Sequence, residues 1–83
     1  MRDVDALIEQ YGLEDDGEHV IVPFLGKNGK RKKRYILKRS FVRVMYQEGF
    51  FVDYPLADVI RATIAYPEMP LSESLYLLAR ESG

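Results

Sequence analysis

Residues 20–38 read VIVPFLGKNGKRKKRYILK. The run from Val20 to Leu25 is rich in β-branched and aromatic side chains, which suit the pleated, half-buried surface of a strand. Pro23 has no backbone N–H, so this strand belongs at a sheet edge or holds a bulge. Gly26, Lys27, Asn28 and Gly29 come next, and the Asn-Gly pair suits the positive φ angles of a tight hairpin turn. The chain then returns over about Lys32 to Lys38, with Tyr35 and Leu37 on one face and Ile36 on the other. The expectation is a two-stranded hairpin with a basic tip.

Upstream, Val4, Leu7, Ile8 and Tyr11 fall at i, i+3, i+4 and i+7, one apolar stripe at helical spacing. Asp3 can cap that helix, and Gly12 followed by Leu13 reads as its stop. Glu14, Asp15, Asp16, Gly17 and Glu18 admit no apolar period and are expected to form a loop. Downstream, Ser40 as N-cap and Glu48-Gly49-Phe50 as terminator frame a helix with i, i+4 pairs Phe41/Met45 and Val42/Tyr46. The alternative for residues 41–54 is a second hairpin, Phe41 to Tyr46 and Phe50 to Tyr54, around Gln47, Glu48 and Gly49. Pro55 suits a first helical position, and Leu56, Val59, Ile60, Thr63 and Ile64 repeat at helical spacing up to Tyr66. Pro67 and Pro70 close that helix, and Ser72 caps a last one that turns Leu75, Leu78 and Ala79 inward. The fold class expected is α+β: an N-terminal helix, the basic β-hairpin, then two or three short helices, all in one small domain over residues 1–83.

The chain has 83 residues and 9.6 kDa, room for one core. With 47% hydrophobic and 30% charged residues it has the composition of a folded domain rather than a disordered one. So short a chain buries about 60–65% of its unfolded surface, and self-association into a homodimer would add to a thin core. It contains no cysteine, which removes disulfides, thiolate catalysis and thiolate metal sites, and suits a reducing cytoplasm. The longest stretch free of Asp, Glu, Lys and Arg runs only from His19 to Gly26, far short of the ~20 apolar residues that cross a bilayer. The opening residues, with Arg2, Asp3 and Asp5, contain no apolar segment of secretory type, so no signal is expected.

The net charge of -1 conceals a segregation. Residues 1–19 hold one basic and seven acidic groups; residues 44–83 hold two and six. Between them, residues 26–43 carry nine cations and no acid: Lys27, Lys30, Arg31, Lys32, Lys33, Arg34, Lys38, Arg39 and Arg43. Partners respond to local potential, and five consecutive cations beyond a turn repel one another unless a polyanion neutralises them. In a strand, Lys30, Lys32 and Arg34 face one side, Arg31 and Lys33 the other. Such a ribbon can enter a major groove or lie along a phosphate backbone.

Other chemistry finds little to work with. Gly26-Lys27-Asn28-Gly29 matches the bare GXXG pattern of KH domains, but there the loop joins two helices, whereas here a strand leads into it. Gly29-Lys30 lacks the spacing of a P-loop. His19 is the lone histidine and reads as a half-exposed loop residue. Asp15, Asp16 and Glu18 lack the frame of a calcium loop and read as surface acids. Ser40, Ser72 and Ser74 have capping explanations, and a carboxylate pair such as Asp53 and Asp58 has little room for a water-excluding pocket. No enzyme activity, cofactor or metal is expected.

The leading expectation is therefore a small nucleic-acid-binding protein, DNA before RNA. Lys27, Asn28, Lys30, Arg31, Lys32, Lys33 and Arg34 form its site, Lys38 and Arg39 extend the track, and Asn28 matters only if bases are read. The alternative is an interaction or inhibitor module that docks an acidic protein surface through the same hairpin or the aromatic helices. A third use of the cations is contact with the acidic segment Glu14 to Glu18, within the chain or across a dimer. Tyr46, Phe50, Phe51, Tyr54 and Tyr66 are expected in the core or at a dimer seam, with base stacking reserved for rings exposed beside the cations.

Overall fold

The computed structural model describes residues 2–82, which form three helices and two antiparallel sheets. The first helix, α1 (Arg2–Tyr11), buries Val4 and Leu7 and leaves Tyr11 about half exposed, so the apolar stripe is narrower than its spacing implies. It ends as expected: the Leu13 N–H bonds to the Ile8 carbonyl at 2.9 Å and the Gly12 N–H to the Glu9 carbonyl at 3.4 Å, the paired bonds of a Schellman stop.

The expected acidic loop contains a two-residue strand, β1 (Glu14–Asp15). It pairs with β2 (His19–Leu25), Glu14 opposite Ile21 and Asp15 opposite Val20. On the other side β2 pairs along its whole length with β3 (Arg31–Leu37), from His19 opposite Leu37 to Leu25 opposite Arg31. Bonds from Lys38 N to Glu18 O and from Gly26 N to Lys30 O show that the even-numbered residues of β2 turn their backbone groups toward β3. Pro23 is odd-numbered, so its nitrogen faces the other side, past the end of β1, where no ladder bond is lost. Val20, Val22 and Ile36 face the core.

The tip of this hairpin differs from the expected turn. The Gly29 N–H closes on the Gly26 carbonyl at 2.9 Å, and only Gly29 has a positive φ, 76°, while Asn28 does not. The connection is a four-residue turn followed by a glycine bulge, so the glycine alone supplies the left-handed residue.

Residues 41–55 form the second hairpin and not the helix expected from Ser40 to Gly49. Strand β4 (Phe41–Met45) pairs with β5 (Phe51–Pro55), with Val44 opposite Val52 and Arg43 opposite Asp53. Its tip repeats the first: Gly49 N bonds to Tyr46 O at 2.9 Å, Tyr46 N to Phe50 O at 2.9 Å, and Gly49 has φ 91°. The pairing buries Val44 against Ala62 and Leu75, a tertiary contact that the local apolar pattern, which fits either period, does not reveal. Ser40 caps nothing; its carbonyl accepts the Leu56 N–H at 3.1 Å and extends the ladder to the start of the next helix.

That helix, α2 (Leu56–Ala65), is the centre of the molecule. Leu56, Ala57, Val59, Ile60, Ala62 and Thr63 are all buried, which requires cover on more than one side. Val59 and Ile60 join Val4, Leu7, Val20, Val22 and Ile36 in one cluster, while Ala62 meets Val44 and Leu75 in another. Pro55 is its N-cap rather than its first helical residue. The last helix, α3 (Leu71–Ser82), begins before Ser72, so Ser72 is not its cap; the Ser74 N–H bonds instead to the Pro70 carbonyl. Ala79 is exposed, and the inward positions are Ser74 and Leu75, with Leu71 and Leu78 half-buried. The Ser74 hydroxyl donates to the Tyr66 carbonyl at 2.9 Å, which ties the end of α2 to α3. No helix among the described residues is long and apolar enough to cross a membrane.

Candidate functional site

The β2–β3 hairpin outreaches its core. Val20, Val22 and Ile36 are buried at its base, whereas Lys27 to Lys33 are all exposed. Of the nine cations, Lys27 to Lys38 are spread along a ribbon about 20 Å long, taking a strand rise of about 3.3 Å per residue, while Arg39 and Arg43 lie beyond it. The structure sorts these cations into three groups.

The first group holds the base of the ribbon. Lys38 Nζ donates to Asp15 Oδ2 at 2.7 Å. The Arg34 side chain is half-buried and donates from Nη1 to the Met69 carbonyl at 3.4 Å, across to the α2–α3 connection. Arg43 lies in the second hairpin, where its guanidinium meets Asp53 at 3.0 Å. Arg34, Arg39 and Arg43 line a groove of about 290 Å³ floored by Val59, Thr63 and Leu71. Lys38 and Arg39 follow the end of β3 farthest from the tip; Lys38 is bound to Asp15, whereas Arg39 is exposed and enters none of the ion pairs among the described residues.

The second group is loosely engaged. Lys33 Nζ is 3.4 Å from Glu14 Oε1, and Lys32 Nζ is 3.9 Å from Glu68 Oε1, in both cases with the lysine side chain about half exposed. Exposed pairs of this length are weak, because water competes for both ions and two long side chains must be held still. Expected contact with the acidic segment thus occurs within the chain, through Glu14 and Asp15. Glu68 was outside that expectation; nothing in its local sequence marks it as a neighbour of Lys32.

Lys27, Lys30 and Arg31 form the third group. Among the described residues, no ion pair within 4.0 Å engages any of them. They surround the exposed Asn28 at the tip. Alternation places Lys32 and Arg34 on the core-facing side with Ile36, and Arg31 and Lys33 on the outer side with Tyr35 and Leu37, as expected from the sequence.

The acidic loop is committed to its own backbone. Asp15 Oδ1 accepts the Gly17 N–H at 2.9 Å, and Asp16 Oδ1 accepts those of Glu18 at 2.9 Å and His19 at 2.6 Å. The Lys38 bond, joined by the Gly17 N–H, holds the Asp15 carboxyl below its ordinary value of 3.8. The His19 and Glu18 N–H groups do the same for Asp16. His19 opens β2 rather than lying in a loop; Nδ1 is 3.3 Å from Asp16 Oδ2, and its ring packs edge-on against Tyr35. No group of three potential metal ligands occurs among the described residues. Asp53 and Asp58 do not form a pair: each is engaged by a different arginine, Arg43 and Arg61.

The aromatic set divides. Tyr46 stacks on Phe50 at 5.0 Å between centroids, its hydroxyl is hydrogen-bonded to that of Tyr54, and both tyrosines are half-buried. Burial, reinforced by Tyr54, pushes the Tyr46 phenol up to about 12. Phe50 and Phe51 are exposed, on the β4–β5 hairpin rather than beside the tip cations. Tyr46, Phe50, Phe51 and Tyr54 thus sit on the β4–β5 strands and their turn rather than on a helix, while Tyr66, half-buried, is the C-cap of α2. No protein-family model, curated protein or solved structure matches this chain.

Proposed function

We propose that this chain is a small non-enzymatic nucleic-acid-binding protein that grips a phosphate backbone, duplex DNA first, with the tip of the β2–β3 hairpin. The observation that carries the reading is the group Lys27, Lys30 and Arg31: exposed cations without an acidic partner among the described residues, at the end of a ribbon whose buried residues lie at its base. A two-stranded ribbon fits a major groove about 12 Å wide, and each phosphate it neutralises releases counterions. Lys32 and Lys33 add to the grip by exchanging weak carboxylate partners for phosphate. Lys38 and Arg34 leave the proposed site, because Asp15 and the Met69 carbonyl hold them. The cysteine-free composition agrees with a reducing, cytoplasmic setting, which is part of the same proposal.

One observation favours a second reading. Glu14 and Glu68 stand beside Lys33 and Lys32, and a mixed-sign border suits docking onto an acidic protein surface. Fluorescence-anisotropy titration of labelled duplex DNA, single-stranded DNA, RNA and a polyglutamate peptide separates the two. The proposal expects duplex binding that the combined Lys27→Ala, Lys30→Ala and Arg31→Ala variant loses. Binding of polyglutamate with no binding of any nucleic acid would overturn it in favour of the protein partner.

A further inference from the structure

Strands alternate, so the β4–β5 hairpin has a second face, which turns away from α2 and α3. It carries three rungs: Phe41 opposite Pro55, Arg43 opposite Asp53, and Met45 opposite Phe51. Phe41, Met45 and Phe51 are 58%, 64% and 60% exposed. A run of exposed apolar side chains on a monomer marks a contact surface. At its middle the Arg43 Nε donates to Asp53 Oδ1 at 3.0 Å and Nη2 to Oδ2 at 3.4 Å, with the guanidinium 5.9 Å from the Phe51 ring centre.

The Tyr46–Phe50 and Ser40–Leu56 backbone bonds make the even-numbered rungs the hydrogen-bonded ones. The three outer rungs are therefore the non-bonded kind, in which facing side chains lie closest. The face is a compact block, apolar at both ends and bearing one positive and one negative group side by side at its centre.

That pattern is its own complement. We propose that two copies of the chain associate through this face, about a two-fold axis parallel to the strands. Rotation about that axis lays β4 of one copy over β5 of the other. Phe41 then meets Pro55, Met45 meets Phe51, and Arg43 meets Asp53, each with its counterpart on the second copy. A two-fold axis across the strands sets Arg43 on Arg43 and Asp53 on Asp53, so the charges select one orientation. In that orientation each guanidinium faces two carboxylates and each carboxylate two guanidiniums, which offsets the desolvation of the pair. Near-parallel strands also match the aligned packing of two twisted sheets. A polyanion finds no net charge here, and the tip cations lie on the other sheet, so this inference stands apart from the proposed function.

Closing the two faces removes on the order of 1,000 Å² from water, the low end for specific contacts, so the association is sought at micromolar and higher concentrations. Sedimentation velocity from about 1 to about 300 μM reads that equilibrium directly. The full chain should pass from monomer to dimer, and Phe51→Lys should leave it monomeric throughout. Arg43→Asp sets four carboxylates together across the interface and Asp53→Arg four guanidiniums, so each alone should raise the dimer Kd about tenfold or more. Mixing the two variants should restore dimers as hetero-pairs, and the double exchange Arg43→Asp with Asp53→Arg should restore the homodimer. These recoveries distinguish a lost interface from a lost fold, which circular dichroism also checks. A chain that stays monomeric across the range, or a dimer unaffected by Phe51→Lys and by both reversals, overturns the proposal.

Discussion

Lys38 Nζ lies 2.7 Å from Asp15 Oδ2, while the backbone N–H of the same lysine lies 2.7 Å from the Glu18 carbonyl. One residue thus fastens the acidic loop to the base of β3 by side chain and main chain together. A cation that belongs to the basic segment by sequence is a strap by structure. With Lys38 engaged, the cations of the segment that enter no ion pair among the described residues are Lys27, Lys30 and Arg31 at the tip, about 20 Å along the ribbon, and Arg39 just beyond its base.

Acid should loosen this strap. The Asp15 and Asp16 carboxyls are held below 3.8 in the folded chain, chiefly by Lys38 for Asp15 and by the His19 N–H for Asp16. A lowered folded value means stability that is present above the unfolded value of about 3.9 and is lost as pH falls through the folded one. The urea midpoint is expected to hold steady from pH 7 to about 5 and to drop below about 4, with a shallower drop in Asp16→Asn. A midpoint that stays level from about pH 4 down to 2.5 contradicts the role given to these carboxyls.

The alkaline limb has the opposite sign. Burial holds the Tyr46 phenol at about 12, and the Asp15 bond raises Lys38 above 10.5. Both groups keep their protons more tightly when folded, so their contribution is full below about pH 10 and fades as pH rises through the folded values. Phenolate absorbance should show one tyrosine titrating late in the folded chain, and Tyr46→Phe should remove it. Titration of all the tyrosines together near pH 10 in the folded chain contradicts the burial of this hydroxyl.

Both hairpin tips turn on one glycine, Gly29 at φ 76° and Gly49 at φ 91°, and an added Cβ meets nothing within 4 Å at either. The cost of Gly→Ala at each is therefore conformational, about 1–2 kcal/mol, and Asn, which tolerates the left-handed region, should recover part of it. Chemical denaturation of Gly49→Ala and Gly49→Asn tests this. Equal loss in the two variants, or none, is inconsistent with the turn described.

Much of the scaffold was legible in the residues. The β2–β3 hairpin follows from Val20–Leu25, the Asn28-Gly29 pair and Ile36, and α2 from the stripe Leu56, Val59, Ile60 and Thr63. Residues 41–55 were not, because nearly every position but Arg43 is apolar in Phe41–Tyr46, so periods of two and of 3.6 fit equally. Gly49 also serves either a helix stop or a bulged turn. Burial of Val44 beneath Ala62 and Leu75 decides between them, and that contact belongs to the tertiary fold. The short β1 escaped for a related reason: Glu14 and Asp15 have no strand character of their own and pair only because β2 offers an edge.

Within the site, the extent of the basic segment was visible but its division was not. Lys33 finds Glu14 19 residues away and Lys38 finds Asp15 23 residues away, separations at which sequence marks no partner. The face of Phe41, Met45 and Phe51 stayed hidden because a helix keeps only Phe41 and Met45 together, whereas the strand pair sets Phe51 opposite Met45 and Pro55 opposite Phe41.

The central claim is that free charge at the hairpin tip binds a phosphate backbone, and the salt dependence of duplex DNA binding tests it most directly. Three phosphates neutralised by Lys27, Lys30 and Arg31 give a slope of log affinity against log salt of about -2.7, and five, with Lys32 and Lys33, about -4.5. Between 50 and 200 mM salt the slope is expected to fall between these values and to lose about 0.9 for each tip cation replaced by alanine, equally for every sequence tested. Absence of binding at about 50 mM, or binding whose slope the tip replacements leave unchanged, contradicts the account.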